Sequence, residues 1–217
     1  MSPCELEPGR KVNEWVQRIF LLSPAHVGGL RAAQLLNPQA SFALARQFRR
    51  AGLPLGDVFT FLSALYFRGK LSYSHHFARP EAGDVVRVIT TNRGLVDPAV
   101  IITPEELRAF GTVDIEEDSE HYRRPLKRDA RALAKKLTDD GQVVLLGSIA
   151  TAKYREILLE CFGERLVFPE DFVGRGDMSR GGMLLRAVRA GEELPYQNIA
   201  GAILRGRRAP KLDTTTR

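Results

Sequence analysis

Residues 143–151 join an apolar run to small and hydroxyl-bearing residues, a pattern typical of a strand that ends beside a ligand. The apolar run predicts a buried strand, which Gly147 and Ser148 break directly before a predicted helix. Backbone N–H groups at a helix N-terminus have no partner within the helix and favour an anion or a carbonyl-rich ligand. Ligand contacts are therefore predicted for five residues of this turn: Gly147, Ser148, Thr151, Lys153 and Tyr154.

A simpler interpretation of this turn is that Ser148 or Thr151 only caps the helix. The turn also lacks the spacing Gly-x-x-x-x-Gly-Lys-Ser/Thr that cradles phosphates in many ATPases, which argues against ATP hydrolysis. The sequence thus predicts binding at this turn and assigns no reaction to it.

A second segment, residues 172–182, holds four glycines, two arginines, an aspartate and a serine. Ordering such a loop is entropically costly, and apolar stretches on both sides argue against disorder, so a functional loop is expected over residues 174–182. Asp177 would act as an acid, a base or a ligand for a ribose hydroxyl; alternatively it forms an internal salt bridge that shapes the loop. The residues predicted to bind ligand here are Arg175, Ser179 and Arg180.

The turn after residue 22 places two glycines between a serine and an arginine. The glycines permit close approach of the backbone, Ser23 would contact the ligand, and Arg31 would clamp an anion. An ordinary turn between a strand and a helix explains the same glycines equally well.

Residues 64–73 combine two tyrosines with two cationic side chains. Tyr66 would stack on a base while Arg68 and Lys70 meet phosphates. The alternative is that Tyr66 and Tyr73 lie at the rim of the core, with no ligand involved.

Other reaction types lack support in the sequence. The four histidines do not fall at metal-ligand spacings with cysteines or carboxylates, so neither a metal site nor another cofactor is predicted. Neither cysteine lies beside a plausible base, and the Gly-x-Ser-x-Gly motif of a nucleophile elbow does not occur. A nucleophilic hydrolase is therefore not expected.

Composition indicates a chain that can bury a core and attract polyanions. It has 217 residues, 44% hydrophobic content and a net charge of +6, and its arginines cluster. The alternative is that these arginines lie on solvent-exposed helix faces and reflect a GC-rich coding bias. No membrane span is predicted, and the acidic, proline-rich N-terminus does not resemble a secretion signal. Cys4 and Cys161 are not expected to pair, which favours a reducing cytoplasm.

The elements predicted by hydrophobic periodicity alternate between strands and helices. Strands are predicted at 18–22, 85–90, 143–146 and 165–168, and helices at 28–36, 41–52, 58–67, 103 onward, 126–137, 149–162 and 182–190. This order predicts an α/β, three-layer Rossmann-like domain with a parallel or mixed sheet covered by helices on both faces. We expect one domain over residues 12–204, flanked by flexible tails at 1–11 and 205–217, the second of them basic.

Four short motifs follow one another along this sequence. A strand ends in the serine-containing turn at 22–25, and Leu65-Tyr66 precede a segment rich in small and aromatic residues. A second strand leads into the pattern Gly-Leu-x-x-Pro at 94–98. A third ends at Gly147 and is followed by a helix that carries Tyr154.

In this order of motifs, residues 19–162 resemble the YaaA peroxide-stress proteins and related small bacterial and phage domains of Rossmann-like fold. That group is distantly similar to the uracil-glycosylase-like domain of archaeal tRNA-modification enzymes. The sequence departs from the group at residues 90–93, where Thr-Thr-Asn-Arg replaces the usual Ser-Ala-x-Tyr, and residues 174–182 have no counterpart. The resemblance implies a ligand related to nucleotides or nucleic acids and supplies no catalytic assignment.

Three functions remain open from the sequence. The first is binding of a nucleotide, nucleoside or nucleic-acid segment at the strand ends, where Ser23, Asn92 and Ser148 are expected to lie. The second is metal-independent hydrolysis or transfer at an N-glycosidic bond, with Asp177 or Asp97 stabilising positive charge or activating water. The third is a non-catalytic domain that binds another protein. The oligomeric state is not predicted.

Overall fold

The computed structural model describes residues 16–113, 119–150 and 152–206. Within these ranges there are eight strands: β1 (Arg18–Leu22), β2 (Leu53–Pro54), β3 (Val85–Ile89), β4 (Leu95–Val96), β5 (Ile101–Ile102), β6 (Gln142–Leu146), β7 (Leu166–Pro169) and β8 (Tyr196–Asn198). The α-helices in the same ranges are α1 (Leu30–Leu36), α2 (Ala43–Ala51), α3 (Leu55–Ser63), α4 (Leu65–Phe77), α5 (Pro104–Gly111), α6 (Glu120–Ala134), α7 (Ala152–Phe162) and α8 (Asp177–Ala190).

Six of the described strands form one mixed sheet in the order β4-β3-β1-β6-β7-β8. The four central strands are parallel, while β4 and β8 run antiparallel at the two edges. Helices flank this sheet, which gives the three-layer Rossmann-like α/β fold that the sequence predicts. The short strands β2 and β5 pair with each other outside the main sheet.

The strand order reverses between β1 and β6, where the candidate site is located. From β1 the chain first adds β3 on one side and later returns to add β6 on the other. Leu22, at the end of β1, is in register with Leu146, at the end of β6, and the N–H of Ser23 donates to the carbonyl of Leu146 at 3.2 Å. In open α/β sheets, helices on either side of such a reversal leave a crevice at the carboxyl ends of the strands.

The core explains why β1 and β6 are continuous apolar runs. Residues 19–22 and 143–146 are all buried, as expected for parallel strands that are covered on both faces. Each fully buried side chain of this size stabilises the fold by about 1.5–3 kcal/mol. The buried cluster that includes these strands extends from Ile19 to Ile199. No described helix has the length and apolar character needed to cross a membrane.

A break at Ala64 divides the single buried helix that the sequence predicts over residues 58–67. Ala64 has φ 45° and ψ −116°, a left-handed conformation that costs a residue with a Cβ atom about 1–3 kcal/mol. The break lets α4 run on to Phe77 in its own direction and pack against α8. Hydrophobic periodicity does not reveal the break, because the apolar residues of α3 continue into those of α4 on either side of Ala64.

The helix α8 begins at Asp177, so the prediction of a loop over residues 174–182 is wrong for residues 177–182. Gly181 lies inside the helix because α4 passes too close for a side chain. A Cβ atom at Gly181 would lie 2.8 Å from the carbonyl oxygen of Leu65, and one at Gly69 would lie 2.8 Å from the carbonyl oxygen of Gly181. These glycines therefore reflect a close helix contact, not a flexible loop.

Other boundaries agree in part with the sequence. The strand over 18–22 and the capping box of Thr103 and Glu106 are confirmed. Ser41 does not cap α2, whose preceding residue is Phe42, and β8 was not predicted. The predicted tail at 1–11 and most of the predicted loop at 114–120 lie outside the described residues, as does the tail at 205–217 beyond residue 206.

Candidate functional site

A crevice of about 350 Å³ opens at the carboxyl ends of β1 and β6. Six residues predicted from the sequence line it: Ser23, Tyr66, Ser148, Lys153, Tyr154 and Asp177. They converge because Ser23 and Ser148 follow the two strands, while Tyr66 and Asp177 lie near the beginnings of the packed helices α4 and α8. Its lining also includes Pro24, Ala25, His26, Leu62 and Ser63, which were not predicted as site residues.

Lys70 is buried beneath this crevice and is held by Ser23. Its side chain is 1% exposed, and its Nζ atom donates to the Ser23 carbonyl at 2.6 Å and contacts the Ser23 Oγ atom at 3.0 Å. The same nitrogen lies 4.4 Å from the ring centroid of Tyr66 and 4.7 Å from that of Phe67. The prediction that Lys70 meets phosphate at the surface is therefore wrong, because the helix α4 turns it into the core.

Burial changes the acid–base behaviour of Lys70. Loss of water lowers the pKa of Lys70 to about 7, because the protein interior disfavours the charged ammonium. The carboxylate of Asp177 opposes this lowering, and the guanidinium of Arg180 adds to it. Both protonation states of this amine are thus accessible near neutral pH, as in lysines that act as bases in enzymes.

The hydroxyl of Tyr66 is a buried polar group without a hydrogen-bond partner among the described residues. Tyr66 is 5% exposed, its ring meets that of Phe172 edge-on, and burial raises the pKa of its hydroxyl. The nearby Arg180 guanidinium opposes that rise through its charge and through a weak polar interaction with the hydroxyl. The two groups do not reach hydrogen-bond geometry, because the Nε and Nη2 atoms of Arg180 donate to the carbonyl of Phe172. Tyr66 therefore stays protonated near neutral pH.

Tyr154 lines the crevice, and Gly147 packs against it and against Ser23 without being part of the lining. The Tyr154 hydroxyl donates to the carbonyl of Ser148 at 2.8 Å. Burial raises the pKa of Tyr154 to about 12, and a hydrogen bond with Ser23 opposes the rise. A Cβ atom at Gly147 would lie 2.8 Å from the Ser23 Cβ atom and 2.9 Å from the Tyr154 hydroxyl, so only glycine fits here. The Ser23 side chain thus lies beside both Lys70 and Tyr154.

Asp177 brings a carboxylate to the mouth of the crevice as the first residue of α8. Its side chain is 68% exposed and lies 3.6 Å from the Nη1 atom of Arg180, one helical turn further on. The salt bridge considered from the sequence therefore exists. It does not bury the carboxylate, which remains open to solvent and to the crevice.

Several predicted site residues lie away from the crevice lining. Arg31 donates to the carbonyl of Phe61, and Arg175 donates to the carbonyl of Asp171. Arg68 is exposed on α4. Ser179 and Arg180 lie within α8 and do not line the crevice. Arg180 is buried and orders the segment before α8 through Phe172. Thr151 lies outside the described residues.

Asn92 and Asp97 belong to a different surface. Asn92 follows β3, which lies on the side of β1 away from β6, and its amide donates to the carbonyl of Ala109 at 3.1 Å. Asp97 forms a 2.8 Å salt bridge with Arg87. Asn92 and Asp97 both line a second hollow, which lies beside α6. The expectation that Asn92 shares the site of Ser23 and Ser148 is wrong for this reason, and Asp97 is equally remote.

One sequence signal would have placed Lys70 correctly. The buried aromatic residues Tyr66, Tyr73 and Phe77 of α4 recur at helical spacing, and position 70 falls on the same stripe. Arg180 likewise shares a buried stripe of α8 with Leu184 and Ala187. A cation on a buried stripe indicates a polar partner inside the fold. Within the described ranges, no group of three or more His, Cys, Asp or Glu side chains is arranged to hold a metal ion.

Comparisons of the chain with protein-family models, with curated proteins and with solved structures find no match. The resemblance to the YaaA group, drawn from short motifs, therefore stays a prediction.

Proposed function

We propose that the protein binds a nucleoside, a nucleotide or an exposed nucleotide of a nucleic acid in the crevice between the ends of β1 and β6. The observation that carries the proposal is Tyr66, a residue of the crevice lining whose buried hydroxyl lacks a hydrogen-bond partner among the described residues. An unsatisfied buried hydroxyl costs about 1–3 kcal/mol, and a ligand that accepts its hydrogen bond recovers that free energy.

The size and lining of the crevice support a ligand of this class. A volume of about 350 Å³ is at the low end for ligand pockets, which suits one nucleoside better than a dinucleotide. Pro24, Ala25 and Leu62 offer an apolar wall for a base, while Ser148 and Asp177 offer groups for sugar hydroxyls. The crevice lining therefore offers apolar contacts for the base of a nucleoside and polar contacts for its sugar.

Lys153 supports a phosphate at the open end. It lies exposed on the first turn of α7, lines the crevice, and has no hydrogen bond or salt bridge assigned to its ammonium in the described structure. The positive end of the α7 dipole adds to the charge of this ammonium. A phosphorylated ligand should therefore bind more tightly than the nucleoside it contains.

Thermal unfolding with a panel of nucleosides, 5′-nucleotides and short oligonucleotides tests this proposal, since a ligand of the folded state raises the unfolding temperature. Inorganic phosphate serves as the control for anion effects. Lys153→Ala should reduce the advantage of nucleotides over nucleosides, and the exposed Lys136→Ala should not. Failure of every compound to shift unfolding at millimolar concentration would contradict the proposal.

A second candidate function is cleavage of an N-glycosidic bond, which the position of Asp177 at the crevice mouth favours. A carboxylate there would stabilise positive charge on the sugar or activate water. Release of free base, measured by chromatography, should stop in Asp177→Asn while binding persists; Asp171→Asn, an exposed neighbour outside the crevice, is the control. Binding without any release of free base would refute the cleavage function and retain the binding function.

A further inference from the structure

We propose that Ser23 is a nucleophile activated by Lys70 and that the crevice transfers acyl groups from a small carboxylic ester or amide. This activity goes beyond ligand binding and does not require the substrate to be a nucleotide. Its geometric basis is the 3.0 Å separation between the Lys70 Nζ atom and the Ser23 Oγ atom, together with the position of Ser23 in the crevice lining.

The distance and the environment of the pair match the requirements of an activated serine. A nucleophile and its base must be within hydrogen-bond reach, and lysine serves as that base in some serine hydrolases. The base must also be neutral near physiological pH. Lys70 meets this condition because burial lowers its pKa to about 7. The second contact of Lys70, with the Ser23 carbonyl at 2.6 Å, fixes the amine beside the hydroxyl.

Tyr66 is placed to stabilise the charge that develops in such a reaction. Its ring and the Ser23 hydroxyl flank the same amine, and its own hydroxyl is protonated and free of partners among the described residues. Attack on a carbonyl group moves negative charge onto the carbonyl oxygen, which a preorganised donor stabilises. In this proposal Tyr66 is the donor to that oxygen.

The reaction balances with water as the co-reactant. The Ser23 Oγ atom forms a bond to the carbonyl carbon, and the Ser23 proton passes to the neutral amine of Lys70. The bond from the carbonyl carbon to the leaving oxygen or nitrogen breaks, and that atom takes the proton from Lys70. Water then attacks the acyl carbon while Lys70 accepts a proton from it. The bond between the acyl carbon and the Ser23 Oγ atom breaks, and Oγ takes the proton from Lys70, which releases the acid and restores the Ser23 hydroxyl and the neutral amine.

The absence of a Gly-x-Ser-x-Gly motif argued against a hydrolase from the sequence alone. That motif presents a serine in one way, on a sharp turn between a strand and a helix. Here Ser23 follows β1 directly, and its base comes from α4, 47 residues later in the chain. A pair so distant in sequence has no local motif.

The test is covalent modification by an alkyl fluorophosphonate, in which the Ser23 Oγ atom displaces fluoride from phosphorus. Intact-mass measurement and peptide mapping of the full chain should find one adduct on Ser23. Ser23→Ala should not be modified, and Lys70→Met should react about 100-fold more slowly, as expected for loss of a general base. Ser74→Ala removes a buried hydroxyl one turn from Lys70, outside the crevice, and should react like the wild type.

The pH dependence of the wild type provides a readout that does not depend on a folded variant. Modification should accelerate about tenfold per pH unit below pH 7 and level off above it, because only neutral Lys70 accepts the proton. Folded wild-type protein without an adduct on Ser23, a flat pH profile, or Lys70→Met reacting at the wild-type rate would each overturn the proposal. Stabilisation by a nucleotide in the same preparation would leave the binding function standing.

Discussion

Lys70 on α4 donates to the backbone carbonyl of Ser23 at the end of β1, and the two residues also meet through the Ser23 hydroxyl. This contact joins a helix to the strand end at which the order of the sheet reverses. It also places an amine of lowered pKa directly beneath the crevice. The site is therefore built from residues of the core, and its chemistry is coupled to the stability of the fold.

Replacing Tyr66 by Phe should stabilise the free protein and weaken ligand binding. The change removes a buried hydroxyl without a partner among the described residues, so the free energy of unfolding should rise by about 1 kcal/mol. Chemical denaturation measures this. In Tyr73→Phe the lost hydroxyl bonds to Tyr196 and to the N–H of Leu194, so the same change should lower stability by about 1–2 kcal/mol. Equal destabilisation of both variants would show that Tyr66 has a structural partner.

Stability should rise with pH between about 7 and 10 because of Lys70. The unfolded chain binds a proton at this lysine up to about pH 10.5, whereas the folded chain releases it near pH 7. Unfolding then takes up a proton, and the wild type should gain up to about 1.4 kcal/mol per pH unit relative to Lys70→Met. Denaturation at pH 7.5, 8.5 and 9.5 measures the difference, with Lys136→Met as the control for losing one lysine. If the free energy of unfolding of the wild type and of Lys70→Met changed in parallel with pH, the lowering of the Lys70 pKa by burial would be contradicted.

The contact between α4 and α8 should distinguish two adjacent glycines. A Cβ atom in Gly181→Ala would press on the backbone of Leu65 and Tyr66, so we expect a loss of about 1–3 kcal/mol and weaker ligand binding. In Gly182→Ala the nearest atom is at 3.4 Å on the flexible side chain of Arg186. That variant should gain about 0.5–1 kcal/mol from helix propensity. The predicted order of unfolding temperatures is therefore Gly182→Ala, wild type, Gly181→Ala, and the reverse order would refute the packing.

Relief of the strained backbone at Ala64 should also stabilise the protein. Glycine adopts a positive φ without the clash of a Cβ atom, so Ala64→Gly should raise the free energy of unfolding by about 1 kcal/mol. Ala132→Gly, at an exposed position in the regular helix α6, should lower it by about 1 kcal/mol. If the backbone between α3 and α4 is strained, calorimetry should find changes in the free energy of unfolding of opposite sign in the two variants.

Much of the fold follows from the sequence because parallel, doubly covered strands leave continuous apolar runs. The runs at 18–22 and 143–146 predict both central strands, and the ends of parallel strands share one edge of a sheet. That rule alone places Ser23 beside Ser148. It fails for Asn92, because the rule does not say on which side of β1 the strand β3 lies.

The remainder of the site depends on contacts between distant helices. The close approach of α4 and α8 turns a glycine-rich segment into a helix and brings Asp177 near Tyr66 and Lys70. Nothing in either local sequence specifies this pairing. The break at Ala64 escapes prediction for a related reason, since tertiary packing compensates a conformation that alanine disfavours by itself.

Binding of ligand in the crevice is tested most directly by calorimetry at equilibrium, with the ligand that most raises the unfolding temperature. Ser63→Trp places a large side chain on the crevice wall, whereas Gln34→Trp places one on the exposed face of α1 outside the crevice. We expect at least a tenfold loss of affinity in Ser63→Trp, with its unfolding temperature retained, and wild-type affinity in Gln34→Trp. Equal affinity in the wild type and in a folded Ser63→Trp would show that the ligand binds elsewhere.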